Sequence, residues 1–339
     1  MSTTLQDVAK KAGVSMKTVS RVVNKEKNVA EETRQQVLRV IEELGYVPHV
    51  QAQRLASGKT RSIVLHYPLS NPTLFSNMIE MNFITGIALG AAEEEYYFSL
   101  MTGPLTSAGL MKLCRGAQAD GIVLMQVAVQ DWRVELLRAN EYPFVMIGRC
   151  ANADGLSFID LDFENAVVEA FAHLIGLGHR EIGFLTFPQE WRAKGIGVAV
   201  YSLQGFKSAA KRFKIKPVYR EIDLSVKGAY SAARTLLEEN PRLTAFVTVH
   251  NTQAVGVMTA LQERNRKVPD DCSIMSVPVG DEAELIIPPL TGIEWSTHET
   301  GHHAAKMLIR ELKGDSSGPE QVLVPPRLKV RSSTAPPPR

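Results

Sequence analysis

The pentapeptide HETGH, His298 to His302, sets two histidines four residues apart with a glutamate beside the first. On a helix this spacing puts both imidazoles on one face, where they can share a zinc ion while the glutamate acts as general base in peptide hydrolysis. A third ligand must come from elsewhere. The acidic residues after His303 are Glu311, in the same helical stretch HETGHHAAKMLIREL, and Asp315 and Glu320, in or after the loop GDSSGPEQ. His179 and Arg180 form a second tempting pair. They stand at the exit of a helical pattern and before an apolar strand, so they read as helix-end cations rather than as a catalytic dyad. Cys114, Cys150 and Cys272 are odd in number and far apart, which argues against a disulfide framework or a cysteine-rich zinc site and leaves them as core thiols. The chain has no phosphate-binding G-x-x-x-x-G-K-[ST], no G-x-S-x-G and no G-x-G-x-x-G after a strand. No catalytic residue, metal ligand or cofactor is therefore assigned, and a zinc peptidase using HETGH stays as the second reading.

The elements that must hold these residues belong to a chain of 339 residues, 45% hydrophobic and 22% charged, ordinary values for a globular protein with room for about two to three domains. The start MSTTLQDVAKKAGVS has no apolar signal core, and no later stretch reaches the roughly 18 apolar residues of a membrane span. A cytoplasmic protein with no membrane partner is expected; an extracytoplasmic solute-binding protein, the third reading, would need a cleaved signal. The net charge of +2 hides an asymmetry. Residues 1–61 carry 11 Lys and Arg against 6 Asp and Glu, whereas the remainder is slightly acidic. A basic end module points to a polyanion, most simply nucleic acid.

Within that module Leu5, Val8, Ala9 and Ala12 recur at helical spacing until Gly13, and Ser15 has the chemistry of an N-cap for a second helix that buries Val19, Val22 and Val23. Its outer face holds Met16, Lys17, Thr18, Ser20, Arg21 and Asn24, with no acidic residue, which suits contact with phosphates and base edges. A third helix, Glu31 to Leu44, is expected to bury Val37, Leu38, Ile41 and Leu44. Two short helices joined by AGVS form a helix-turn-helix, whose second helix enters the DNA major groove.

The stretches LQDVAKKAGVSMKTVSRVVN, NVAEETRQQVLRVIEELGYVP and AQRLASGKT resemble the headpiece and hinge of the lactose/galactose repressor (LacI/GalR) family of bacterial transcription regulators, and the likeness continues in weaker form to near the C-terminus. Carried over by position, the resemblance implies that Met16, Lys17 and Arg21 read bases, while Ser15, Thr18, Ser20, Asn24 and Asn28 mainly fix phosphates. Ala52, Leu55 and Ala56 match the hinge helix, with Leu55 as the apolar wedge in the minor groove. His49 departs from the pattern, which has Asn there.

From Arg61 the apolar runs RSIVLHYPL, YFSLMTG, DGIVLMQV, FVMIGR, EIGFLTF, TAFVTVH, CSIMSVP and LTGIEW alternate with helical patterns, the signature of parallel sheets covered on both faces. Two such sets imply two α/β subdomains. The resemblance places crossings between them near Leu161, Leu290 and Val324, and ligands bind at the carboxyl ends of parallel strands. Sugar-sensing members of the family hold hydroxyls with an Arg from Arg-x-x-Gly and an Asp from Gly-Phe-Asp-Asp. Here these read SLQG, with Ser202 at the Arg position, and SVPV, Ser276 to Val279; the usual Asn-Asp is His250-Asn251. The remaining effector candidates are Ser70, Asn71, Phe75, Arg149, Trp191, Tyr201 and Trp295.

The fold class expected is α/β, with a three-helix helix-turn-helix headpiece over residues 1–48, a hinge helix and linker over 49–60, and a two-subdomain core over 61–332 resembling a periplasmic binding protein. The core divides into about 61–160 plus 293–323 and about 161–290 plus 325–332, followed by a flexible tail, 333–339. The partners expected are a double-stranded DNA operator, a small-molecule effector, a sugar or other metabolite, and a second copy of the chain. The tail SSTAPPPR lacks leucine heptads, so a dimer rather than a tetramer is expected.

Overall fold

The structure, a computed structural model, describes residues 3–23, 28–46, 60–68, 78–116 and 118–338. It divides into two units, Met1–Arg61 and Ser62–Arg339.

The first unit contains α1 (Leu5–Lys11), α2 (Met16–Val23) and α3 (Glu31–Leu44). Thr4 and Asp7 form a reciprocal capping box at the start of α1, and Gly13 takes the left-handed φ of 63° that the turn requires. The Ser15 hydroxyl accepts the Thr18 amide at 3.1 Å, which caps α2. Val8, Ala9, Ala12, Val19, Val22, Val37, Val40 and Tyr46 make the core, with Ile41 and Leu44 packed at its edge. Leu38, expected inside, is 49% exposed, and Val40 takes the interior place. The helical stripe passes through 37, 40, 41 and 44, so position 38 falls outside it.

The second unit holds two six-stranded sheets. In the first, β1 (Ser62–His66), β2 (Tyr97–Met101), β3 (Gly121–Leu124), β4 (Phe144–Ile147), β5 (Ser157–Leu161) and β11 (Gln321–Val324) stand in the order β11-β5-β4-β3-β1-β2, all parallel. The second orders β6 (Ile182–Thr186), β7 (Val218–Glu221), β8 (Ala245–Thr248), β9 (Ser273–Val279), β10 (Thr291–Glu294) and β12 (Arg327–Lys329) as β12-β10-β9-β8-β6-β7, parallel except where β12 meets β10. Helices between the strands are α4 (Met78–Glu93), α5 (Ser107–Arg115), α6 (Trp132–Ala139), α7 (Phe163–Gly176), α8 (Gln189–Ala193), α9 (Gly197–Phe213), α10 (Val226–Glu239), α11 (Asn251–Gln262) and α12 (Thr297–Lys313). Among the described residues no helix is long and apolar enough to cross a membrane.

The chain passes between the sheets after β5, after β10 and after β11. The second passage was expected at Leu290, but β10 pairs with β9 and lies wholly in the second sheet. The residues 333–338 are not a loose tail. The Ser333 hydroxyl accepts the Thr291 amide at 2.8 Å and donates to the Ile274 carbonyl at 2.6 Å, and the Ala335 carbonyl accepts from His179 at 2.8 Å. Ser333 is fully buried. Composition hid this, because the segment is held by backbone and hydroxyl groups rather than by apolar side chains.

Candidate functional site

The outward side of α2 carries the expected DNA contacts. Ser15, Met16 and Lys17 are exposed, Thr18, Ser20 and Arg21 are half-buried, and Asn28 is exposed beyond the helix. The packing of Val19 and Val22 against the core fixes which side faces out, so the helix presents Met16 and Lys17 from its first turn. Among the described residues this helix has no acidic side chain in its first turn, and its N-terminal end favours phosphate. Asn24, His49, Ala52, Leu55 and Ala56 lie outside the described residues.

In the larger unit, the carboxyl ends of both sheets converge on a cavity, the place where sheets of this kind bind small ligands. The first sheet contributes Tyr67, Met125, Gln126, Ile147 and Asp160; the second contributes Phe187, Val249, His250, Pro278 and Trp295; Glu80 and Phe83 of α4 and Trp191 of α8 complete much of the wall. The rings are held by one another. Trp295 meets Phe83 and Phe163 edge to face at centroid distances of 5.2 and 5.6 Å, and Trp191 stacks on Phe187 at 5.6 Å.

Of the effector candidates, Trp191, His250 and Trp295 line the cavity. Arg149 and Tyr201 stand behind Asp160: the guanidinium bonds the Asp160 carboxylate at 2.9 Å and lies 4.2 Å from the Tyr201 ring centre. His250 caps α11 by accepting the Thr252 amide, and burial holds its imidazole down at about 4, so it is neutral. Asn251 donates to Glu282 at 2.7 Å. Neither Asn251 nor Ser202 is among the lining residues, and Ser202 is fully buried in α9. Ser70, Asn71 and Phe75 lie outside the described residues.

Beyond His250 and Trp295, sequence reasoning missed the cavity's polar groups. Glu80 Oε2, Gln126 Nε2, Asp160 Oδ1 and Trp295 Nε1 are buried without hydrogen-bond partners. Burial pushes the Glu80 carboxyl up to about 7, and Asp160 rises to about 7 for the same reason despite the opposing Arg149 charge. Gln126 has a left-handed φ of 51°. Its carbonyl and that of Met125 are gripped by Arg133, which is itself buried against Asp131 at 2.6 Å and hydrogen-bonded to His66 at 2.9 Å. The available signal was a lone carboxylate inside an apolar run: Glu80 in MIEMNFITGIALG and Asp160 in SFIDL.

HETGH lies in the first turns of α12, which packs against α4. A methyl group on Gly301 would sit 2.3 Å from the Phe83 carbonyl oxygen, and one on Gly86 2.1 Å from that of His298. Glycines thus let the two helices touch along their backbones. His302 bonds Glu93 at 3.0 Å and His303 bonds Glu320 at 2.6 Å. Among the described residues no group of three or more His, Cys, Asp or Glu side chains is placed to hold a metal. The helix-end role is also divided: Arg180 donates to the Ile175 carbonyl of α7 at 3.1 Å, whereas His179 is buried, with its pKa lowered by desolvation, between Thr244, Ser273 and the Ala335 carbonyl. A buried ring that accepts at Nδ1 and donates at Nε2 is a structural hub and not a helix-end cation.

Comparison with known proteins agrees with both units. Residues 4–49 match the model of bacterial regulatory proteins of the lacI family, and residues 171–334 match a periplasmic binding protein-like domain. The chain is 31% identical to the HTH-type transcriptional regulator YvdE of Bacillus subtilis over 335 residues, covering 98% of this chain and 99% of that protein. A transcriptional regulator CelR–cellobiose complex superposes with a TM-score of 0.69 at 27% identity, covering 98% of this chain and 99% of that one. The lac repressor dimer bound to operator and the anti-inducer ONPF shares the fold, with a TM-score of 0.83 at 24% identity and coverage of 99% and 100%. A helix-turn-helix unit joined to a two-sheet body with a cleft at its strand ends, matched over its whole length by a regulator at this identity, belongs to the lacI family of bacterial transcription regulators.

Proposed function

We propose that the chain is a cytoplasmic repressor that binds a palindromic operator as a homodimer and is released or tuned by a small-molecule effector of the carbohydrate class. It is read as a regulator and not an enzyme. The observation that carries this is the outward face of α2, where Met16 and Lys17 stand exposed beside Thr18, Ser20 and Arg21 with no carboxylate in the first turn. Residues 1–48 serve as the DNA-binding headpiece, 49–60 as the hinge, and 61–332 as the effector-binding and dimerisation core. Met16, Lys17 and Arg21 read bases; Ser15, Thr18, Ser20, Asn24 and Asn28 fix phosphates; His49, Ala52, Leu55 and Ala56 work in the hinge. The cleft supports the effector assignment, and the cellobiose held by the CelR relative supports its class.

Selection of binding sites from random duplex DNA by the full-length protein tests the reading. Enrichment of an inverted repeat, with half-sites about one helical turn apart, is expected. Arg21→Ala should weaken that site by about 1–3 kcal/mol and relax one base position. Recovery of no sequence, or an equal loss on selected and random DNA, overturns the specific role of this face.

A further inference from the structure

The cleft has an imbalance of charge that a neutral sugar does not correct. Two carboxylates, Glu80 and Asp160, line it, and each presents one buried oxygen without a partner. The cavity wall has no Lys or Arg among the described residues; Arg149, behind it, is engaged with Asp160. His250 is neutral. Among the described residues of the wall, no cation stands opposite Glu80.

We propose that the cleft is built for a ligand bearing a single ammonium group, with Glu80 as its counter-ion and Asp160 as a second acceptor. The proposal rests on reading the cleft as the effector site and narrows the effector within it. An ammonium brings three donors to two orphaned carboxylate oxygens and cancels the uncompensated charge. Trp191 and Trp295 supply aromatic surface in the same wall for the body of such a cation. Gln126 Nε2 and Trp295 Nε1 are donors in search of acceptors, which the hydroxyl oxygens of an amino sugar supply. An amino sugar carries both the donors and the acceptors that these groups lack, whereas a neutral sugar leaves Glu80 either protonated or buried as an unpaired charge. Burial raises the Glu80 carboxyl in the same sense.

Titration calorimetry on the full-length protein tests this with matched probes: glucosamine against glucose, N-acetylglucosamine as the same nitrogen made an uncharged amide, and cyclohexylamine as the amine without hydroxyls. At least one amine should bind about tenfold or more tightly than its uncharged counterpart, as a charge-assisted hydrogen bond in a buried site requires. Glu80→Gln should erase that difference, and Asp160→Asn should reduce it; circular dichroism checks that both variants fold, and the wild-type comparison stands if either does not. Binding by glucosamine but not cyclohexylamine identifies the sugar form of the ligand, and binding by both identifies a general amine site. Equal or tighter binding of the neutral probes, an amine preference unaffected in a folded Glu80→Gln protein, or no amine binding at millimolar concentration overturns the proposal. Loss of sequence-specific DNA binding, measured on the same preparation, instead overturns the regulator reading on which it rests.

Discussion

Glu80 is the one carboxylate on the buried side of a mostly apolar helix, and the physics of its burial reaches beyond ligand choice. Its carboxyl ionises near 7 in the folded chain against 4.5 when exposed. The folded state therefore keeps a proton that the unfolded chain has lost across that interval, so this group's contribution to stability is full below pH 4.5 and is lost as pH rises to about 7. The loss approaches about 3 kcal/mol. Urea unfolding of wild type and Glu80→Gln at pH 5 and pH 8 should show the gap between the two proteins shifting in favour of the glutamine variant at the higher pH by an amount of that order. A gap independent of pH would show that Glu80 is solvated. The comparison between variants is needed because His66 and His250, both held near 4 by burial, titrate with the opposite sign below pH 6.5. At this scale the sequence was partly legible. Ring candidates such as Trp191 and Trp295 reached the cavity because large aromatics at strand and helix ends have few other places to go. The carboxylates were passed over because family motifs directed attention to Ser202 and to Ser276–Val279. Of these, Ser202 lies off the cavity wall, while the second motif reaches it through Pro278.

At the level of elements, long apolar strands and short periodic helices announced themselves, and polar edge pieces did not. β7, reading VYRE, and β11, reading QVLV, occupy sheet edges where one side meets water, so their composition carries no continuous apolar run. β5 is interior, yet Asp160 interrupts its pattern. The C-terminal segment is the largest departure from expectation, and its role can be measured. Ending the chain after Ser332 would strip the Thr291 and Ile274 amides and the His179 ring of their partners. Each orphaned buried donor costs roughly 1–3 kcal/mol. The truncated protein should therefore unfold at clearly lower denaturant, by roughly 2–5 kcal/mol in all given partial rescue by water, while the headpiece keeps its helices. A truncation that leaves the midpoint unmoved would mean that the segment is passively draped.

For the whole molecule, the proposed regulation requires communication between the cleft and the headpiece through the intervening stretch HVQAQRLASGKT. As a helix, this stretch is at the marginal length for water, so it is expected to fold only when two copies meet on DNA, and an effector that rotates one sheet layer against the other would separate their starting points. Leu55→Ala should then weaken specific operator binding while leaving headpiece folding and weak binding to random DNA nearly intact. Operator affinity indifferent to that change would sink the coupling scheme. The order in which this architecture is completed has a further consequence for the cell. The first sheet takes β11 from residues 321–324, the second takes β12 from 327–329, and Ser333 to Ala335 lock the second from beneath. A ribosome makes the headpiece well before β11 and β12, without which neither sheet has its full set of strands. Nascent chains thus carry the headpiece ahead of two incomplete sheets until residues 321–335 have been added.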